Sequence, residues 1–353
     1  MIHSNQIFIG TMSGTSLDGL DLCAVEFTEN SFHIHATETF EFSAEWRNRL
    51  NAAFTMSGLE LQQLSVDYGK FCGECINEFV ARHNIKVAYI ASHGQTIFHT
   101  PQTGLTVQIG SGAHIAATTG ISTICDFRTL DVAMGGQGAP LVPIGDQLLF
   151  SQYDYCLNIG GFANVSMQQG ERRIAWDICA ANIVLNEYAQ KYGLAYDDNG
   201  NLGRKGECNQ ELLQKLNQLP FYAQAAPKSL GREWVEREIT PILQTSTSTS
   251  LSNHFDIMRT FYEHCGYQIG KTLQGKNTKT LCTGGGVCNS LLVEIIERYA
   301  ESTLIVPLQE IIHFKEALIF AYLGFLRVQC KANCLASVTG ARKNVCGGVI
   351  WEV

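Results

Sequence analysis

Two stretches of this 353-residue chain share one layout. "IFIGTMSGTSLDGLDLCAVEF", Ile7 to Phe27, is an apolar strand, a loop of small residues and a second apolar strand, with Asp18 and Asp21 between the runs. "YCLNIGGFANVSMQQG", Tyr155 to Gly170, repeats that layout. A duplication of this kind would set two Gly-rich hairpins facing one another across a cleft. Two unrelated hairpins closed by glycine turns are the competing reading.

Around the hairpins, strands alternate with helical patterns, which argues for an α/β architecture. Leu59, Leu61, Leu64, Tyr68, Phe71, Cys75 and Phe79 recur at spacings close to three and four, and predict helix within residues 44–83. "VAYIASHGQTIFHT" reads as a buried strand ending in a polar loop, and "ISTICDFRTLDVAMGGQGAPLVP" as a strand followed by a Gly-rich crossing. "KTLCTGGGVCNSLLVEIIERYA" gives a strand, three glycines and an amphipathic helix. Glycines permit close backbone approach and a helix start supplies free N–H groups, a combination that suits a nucleotide. "FKEALIFAYLGFLRVQC" opens a closing helix, loop and strand, while "TSTSTSLSNHF" (Thr245 to Phe255) reads as a surface loop or cap to the next helix. We place the first domain at residues 1–140 and the second at 141–324, with the C-terminal segment, about 325–353, open to returning to the first.

Charge narrows the partners. A net charge of −8 offers no counter-charge to nucleic acid or to an anionic membrane surface, so a small molecule is the expected ligand. No basic region followed by a long apolar stretch opens the chain, and no apolar run is long enough to span a bilayer, so a soluble cytoplasmic protein is expected. Cys72 and Cys75 form a lone C-x-x-C without a second pair, and read as residues on a helix face.

The chemistry of the loops stays open at this level. "GTMSGTSLDG" can present several N–H and O–H donors to one anion, as phosphate-binding nests do, but it matches neither a P-loop nor a G-x-S-x-G elbow. Phosphate loop, nucleophile loop and plain hairpin all remain. "GYQIGKT", Gly266 to Thr272, is close to a Walker A loop but has the wrong glycine spacing and helical surroundings, so it is rejected. Asp177 sits between "RRIAW" and a helical pattern, where a carboxylate can accept a proton and the helix start favours its ionised form; a simple N-cap is the alternative. Arg128 can pair with a substrate carboxylate, or with Asp126 or Asp131 as a structural ion pair. His93 reads as a hydrogen-bonded loop residue, and Glu316, at the start of an apolar helix, fits a cap-dipole role as readily as a ligand.

Taken together, "GTMSGTSLDGLD", "SHGQT", "VQIGSGAHIA", "DFRTLDVAMGGQGAPLVP", "LNIGGFANVS", "APKSLGRE", "GGGVCN", "KEALIFAYLG" and "SVTGAR" resemble, in order and over nearly the whole chain, the 1,6-anhydro-N-acetylmuramic acid kinase family of cell-wall recycling. The resemblance implies two related actin-like (ribonuclease H-like) α/β ATPase domains with a central nucleotide and substrate cleft. It makes the hairpins two phosphate loops and "CTGGGVCN" an adenosine loop. Ser13, Gly14, Thr15, Ser16, Leu17, Asp18, Gly19 and Leu20 would then bind nucleotide, as would Asn158, Gly160, Gly161 and Asn164, and Gly284, Gly285, Gly286 and Asn289.

By the same resemblance Asp177 is the catalytic base, Arg128 and Glu316 contact the substrate, and Asp18 is a candidate ligand for Mg²⁺ on ATP. The implied reaction opens the anhydro ring of the amino sugar with water and phosphorylates its 6-hydroxyl. A homodimer stays open. The chain departs from the family's usual Asp-Thr-Gly-Pro-Gly/Ala-Asn at Asp177-Ile178-Cys179-Ala180-Ala181-Asn182, and carries Cys288 where a histidine is frequent. The departure leaves two other readings standing: a nucleotide-binding switch without catalysis, and a plain glycoside hydrolase, which gives the Gly-rich loops no role.

Overall fold

The computed structural model describes residues 6–14, 17–28, 31–248 and 254–353. The chain divides into two compact units, Met1–Leu149 with Phe314–Val353, and Phe150–His313. In the first unit lie β1 (Ile7–Met12), β2 (Gly19–Phe27), β3 (Phe32–Glu41), β4 (Val87–Ser92), β5 (Gln95–Thr100), β6 (Leu105–Ile109) and β7 (Thr123–Cys125). In the second lie β8 (Tyr155–Ile159), β9 (Phe162–Gln169), β10 (Arg172–Ala180), β11 (Lys279–Thr283) and β12 (Thr303–Ile305). The final strand, β13 (Val349–Trp351), returns to the first.

One sheet plan serves both units. The first orders its strands β13-β7-β4-β1-β2-β3, and the second β10-β9-β8-β11-β12. In each, a hairpin (β1 with β2, β8 with β9) is extended antiparallel by a third strand (β3, β10), and two parallel strands (β4 and β7, β11 and β12) follow on the other side. β13 adds antiparallel to β7. The expected α/β duplication is present as two copies of this order.

Three-to-four spacing does build a helix against the first sheet. Gly58–His83 buries Leu64, Tyr68, Cys72, Cys75, Ile76 and Phe79 on one face, against Ile9, Leu20, Leu22 and Ile90. Residues 44–83 are nonetheless not one helix. Ala44–Ala52 ends in a short 3₁₀ turn, Met56 is extended, and Ser57 starts the next helix with a capping box to Glu60. Cys72 and Cys75 are core residues of this helix, and burial pushes both thiols up, Cys75 to about 12.

The polar loop expected after β4 is a second departure. Gln95–Thr100 is a strand, paired antiparallel with β6 in a separate ribbon, with Ile97 buried and Phe98 packed on Phe54. In the second unit His254–Thr272 is a helix, so the "GYQIGKT" glycines belong to helix packing; a Cβ on Gly266 would lie 2.2 Å from Ile295 Cγ2. Thr245 to Ser248, expected in a loop, end the helix Thr240–Ser248, and residues 249–253 lie outside the described residues. No helix among the described residues is long and apolar enough to cross a membrane.

Candidate active site

In each unit the singled-out residues gather where parallel strands end, the edge at which open α/β sheets bind ligands. Ser13 follows β1, His93 follows β4 and Arg128 lies just beyond β7; Gly160 follows β8 and Gly284 follows β11.

The first loop is tied down at both ends. Ser13 is buried and its hydroxyl donates to Gln95 Oε1, while the His93 amide donates to Thr11 O at 3.1 Å. Beyond Gly14 the chain turns, with Leu17 N–H on Gly14 O at 3.3 Å and Leu17 at φ +54°, a conformation non-glycine residues seldom hold. Asp18 is exposed and its carbonyl accepts from the Phe42 amide. Gly19 and Leu20 open β2, with the Leu20 side chain in the core. Thr15 and Ser16 lie outside the described residues.

Arg128 forms neither of its two candidate structural ion pairs. Its Nε and Nη2 donate to His93 Nε2 at 3.2 and 2.9 Å, and its Nη1 donates to Gly138 O at 2.7 Å. Asp131 is engaged elsewhere, accepting from Gly138 N–H and Thr339 Oγ1, each at 2.8 Å. Burial lowers the Arg128 pKa to about 10, and Glu316 opposes that shift.

Glu316 is not at a helix start. The helix is Gln309–Val328, so Glu316 is two turns inside it and the cap-dipole role is overturned. This helix crosses β1 so closely at Gly10 that a Cβ there would lie 1.8 Å from Ala317 O, which sets the adjacent Glu316 within electrostatic reach of Arg128. Burial pushes the Glu316 carboxyl up, Lys315 and Arg128 pull it down, and Asp21 and Asp146 push it up again. Lys315 itself pairs with Asp146 at 3.2 Å, both buried.

In the second unit Asn158 and Asn164 face each other across the β8–β9 hairpin, with Gly160 and Gly161 at its turn. A Cβ on either glycine would meet only ordinary contacts at 3.7 Å, so packing does not dictate glycine there. The carbonyls of Gly160 and Gly161 accept from Ala181, Asn182 and Ile183 amides, which occupies the start of the helix Asn182–Gln190. In the glycine triplet, Gly284 has φ +83° and a Cβ on it would lie 2.7 Å from Ile159 O. Gly286 is equally confined by Ile159, whereas Gly285 faces open space. The Asn289 side chain caps the helix Ser290–Tyr299 through Leu292 N–H and donates to Tyr262 Oη and Asp197 O.

Asp177 is not an N-cap. It lies inside β10, opposite Asn164 and next to a bulge, four residues before the Ala181 cap, so the helix start does not account for its charge state. Its Oδ2 accepts from Leu230 N–H at 2.8 Å and its own amide donates to Lys228 O at 2.9 Å. Burial raises its pKa and the Leu230 bond lowers it in part. Ile178, Cys179, Ala180 and Ala181, the departing residues, are all buried in the core, so the side chain added at Cys179 packs inward. A cavity of ≈ 610 Å³ beside Asn217, Tyr222, Gln268 and Lys271 takes in none of the expected site residues.

His93 is the hydrogen-bonded loop residue its context suggests, with Arg128 as its partner, whereas nothing in residue type alone marks Gln95 or Lys228–Leu230. The available signal was their place in "SHGQT" and "APKSLGRE". Comparison with known proteins completes the picture: residues 6–353 match the family described as anhydro-N-acetylmuramic acid kinase. The chain is 34% identical to the anhydro-N-acetylmuramic acid kinase of Mannheimia succiniciproducens, over 98% of this chain and 99% of that one. For the enzymes of the same name from Haemophilus influenzae and Sulfurimonas denitrificans the identities are 34% (98% of each chain) and 30% (99% of this chain, 100% of that one).

Proposed function

Because the chain belongs to the anhydro-N-acetylmuramic acid kinase family, and is thus a kinase that uses ATP, we propose that its substrate is 1,6-anhydro-N-acetylmuramic acid. Water opens the 1,6-anhydro ring and the freed 6-hydroxyl is phosphorylated, giving N-acetylmuramic acid 6-phosphate and ADP, as a cytoplasmic step of cell-wall recycling.

The observation that carries this reading is the Asp177 carboxylate. One oxygen is held by the Leu230 amide, and the other has no hydrogen bond among the described residues, which leaves it for the water. Water adds to the anomeric carbon as its proton passes to Asp177; the bond from that carbon to O6 breaks; O6 then attacks the γ-phosphorus and ADP leaves. Arg128, held by His93 and Gly138, presents its guanidinium to the polar groups of the sugar together with Glu316. The loops at Ser13–Leu20 and Asn158–Asn164 donate to the ATP phosphates, and Gly284–Gly286 approaches the adenosine while Asn289 holds that loop in shape.

Mg²⁺ binds through substrate phosphates and one or two carboxylates, and the exposed Asp18 is the residue we assign to it. When bound, the ion neutralises charge on the phosphates during transfer.

The test is ADP release by the protein with ATP, Mg²⁺ and the anhydro sugar, alone and together. Release that requires the sugar and yields a phosphorylated product supports the kinase. Ring opening without ATP would support a hydrolase, and ATP binding without turnover a switch.

A further inference from the structure

Asp177 is fixed by chain more than fifty residues away. The Lys228 carbonyl accepts from the Asp177 amide and the Leu230 amide donates to the Asp177 carboxylate, so residues 228–230 run beside β10 at Asp177, although they belong to no regular element. These two bonds, one to the Asp177 backbone and one to its carboxylate, are few to hold such a segment against water.

Lys228 supplies the anchor. Its ammonium donates to Phe221 O at 3.0 Å and lies 4.5 Å from the centre of the Phe221 ring. Phe221 is itself buried and packs against Tyr222 and Trp234, with ring centroids at 5.7 and 5.4 Å. Lys228, half-buried, forms no ion pair among the described residues; its ammonium meets a carbonyl and an aromatic face instead.

We propose that Lys228 is a positioning residue for the reaction: by pinning its own segment to Phe221, it keeps the Leu230 amide on the Asp177 carboxylate. This rests on the reading of Asp177 as the base. Burial and the Leu230 amide account for the Asp177 shift, with no charged neighbour contributing among the described residues, so loosening the segment moves Asp177 through that one bond. The Leu230 bond stabilises the ionised form; weakening it raises the pKa further.

The experiment compares Lys228→Met and Lys228→Arg in pH profiles of kcat, with KM for ATP measured alongside. Lys228→Met should lower kcat about tenfold, move the acid limb upward by about half a unit and leave KM for ATP within about twofold. Lys228→Arg, which keeps a donor and a cation over the ring, should restore the limb. A lowered kcat with an unmoved limb, or a raised KM for ATP with an unmoved limb, overturns the proposal. Should Lys228→Met fail to fold, hydrogen exchange in the wild-type protein decides: the Leu230 amide must be protected like those of β10, and loop-like exchange overturns the proposal. Full activity in Asp177→Asn would instead remove the base assignment itself.

Discussion

Arg128 donates through two nitrogens to a single atom of His93, Nε2, at 3.2 and 2.9 Å. A guanidinium cannot accept a hydrogen bond, so Nε2 carries a lone pair and the ring proton sits on Nδ1. Burial, with the Arg128 charge beside it, holds the His93 pKa well below the usual histidine range. His93 is therefore a neutral acceptor that aims Arg128. Nitrogen NMR should find the Nδ1–H tautomer unchanged from pH 5 to 8. His93→Leu, which removes the acceptor, should raise KM for the sugar roughly tenfold with a smaller change in kcat. A titrating His93 would refute this.

Asp177 gives the pH dependence. A base must be ionised, and burial raises this carboxyl above the ordinary aspartate range. Activity should therefore fall on the acid side along a limb that lies above the ordinary aspartate range and that Asp177→Asn removes. Asp177→Asn should lower kcat by roughly two to four orders of magnitude. Steady-state kinetics from acid to neutral pH checks both statements.

Gly284 and Gly285 should separate folding from binding. Gly284→Ala forces a side chain onto φ +83° and against Ile159 O, and should cost roughly 1–3 kcal/mol in urea unfolding. Gly285→Ala meets nothing within the protein, so stability should hold while ATP affinity falls about tenfold. Equal effects on stability would count against Gly285 facing the nucleotide.

His264 should make the second unit acid-sensitive. It is fully buried between Tyr222 Oη at 2.8 Å and Asn217 Oδ1 at 2.7 Å, and burial lowers its pKa to about 3. The unfolded chain, titrating near the ordinary value of about 6.5, takes up this proton first, so acid favours unfolding. The contribution is complete above that value and is lost as pH falls toward 3. The stability gap between wild type and His264→Gln should narrow from pH 7 to pH 4; a constant gap would contradict the linkage.

Local pattern made much of this legible. The paired hairpins, the buried face of Gly58–His83 and the glycine triplet all follow from residue type and spacing, and the motif order carried the family. What escaped depends on distant partners. β10 runs on through Asp177 because Asn164, across the β9–β10 hairpin, and the Lys228 carbonyl, far along the chain, both pair with it. Glu316 reads as a helix start because it directly precedes the apolar run from Ala317, yet the helix begins at Gln309 and takes in Ile311 and Ile312. The ribbon of β5 and β6 is not legible in sequence because Gln95 to Thr100 is mostly polar and gains its partner only in the fold. Position in the sequence leaves Asp177 and Arg128 open between functional and structural roles and only the resemblance singles them out, while their hydrogen-bond partners, Leu230 and His93, emerge in the fold.

The most direct test runs the reaction in heavy-oxygen water and analyses the product by mass spectrometry before the sugar's own exchange with solvent proceeds. Asp177-assisted attack of water at the anomeric carbon predicts one heavy oxygen on the anomeric hydroxyl and none in the phosphoryl group, formed only with ATP present. A product without label at the anomeric position, or label appearing in phosphate, would contradict the account.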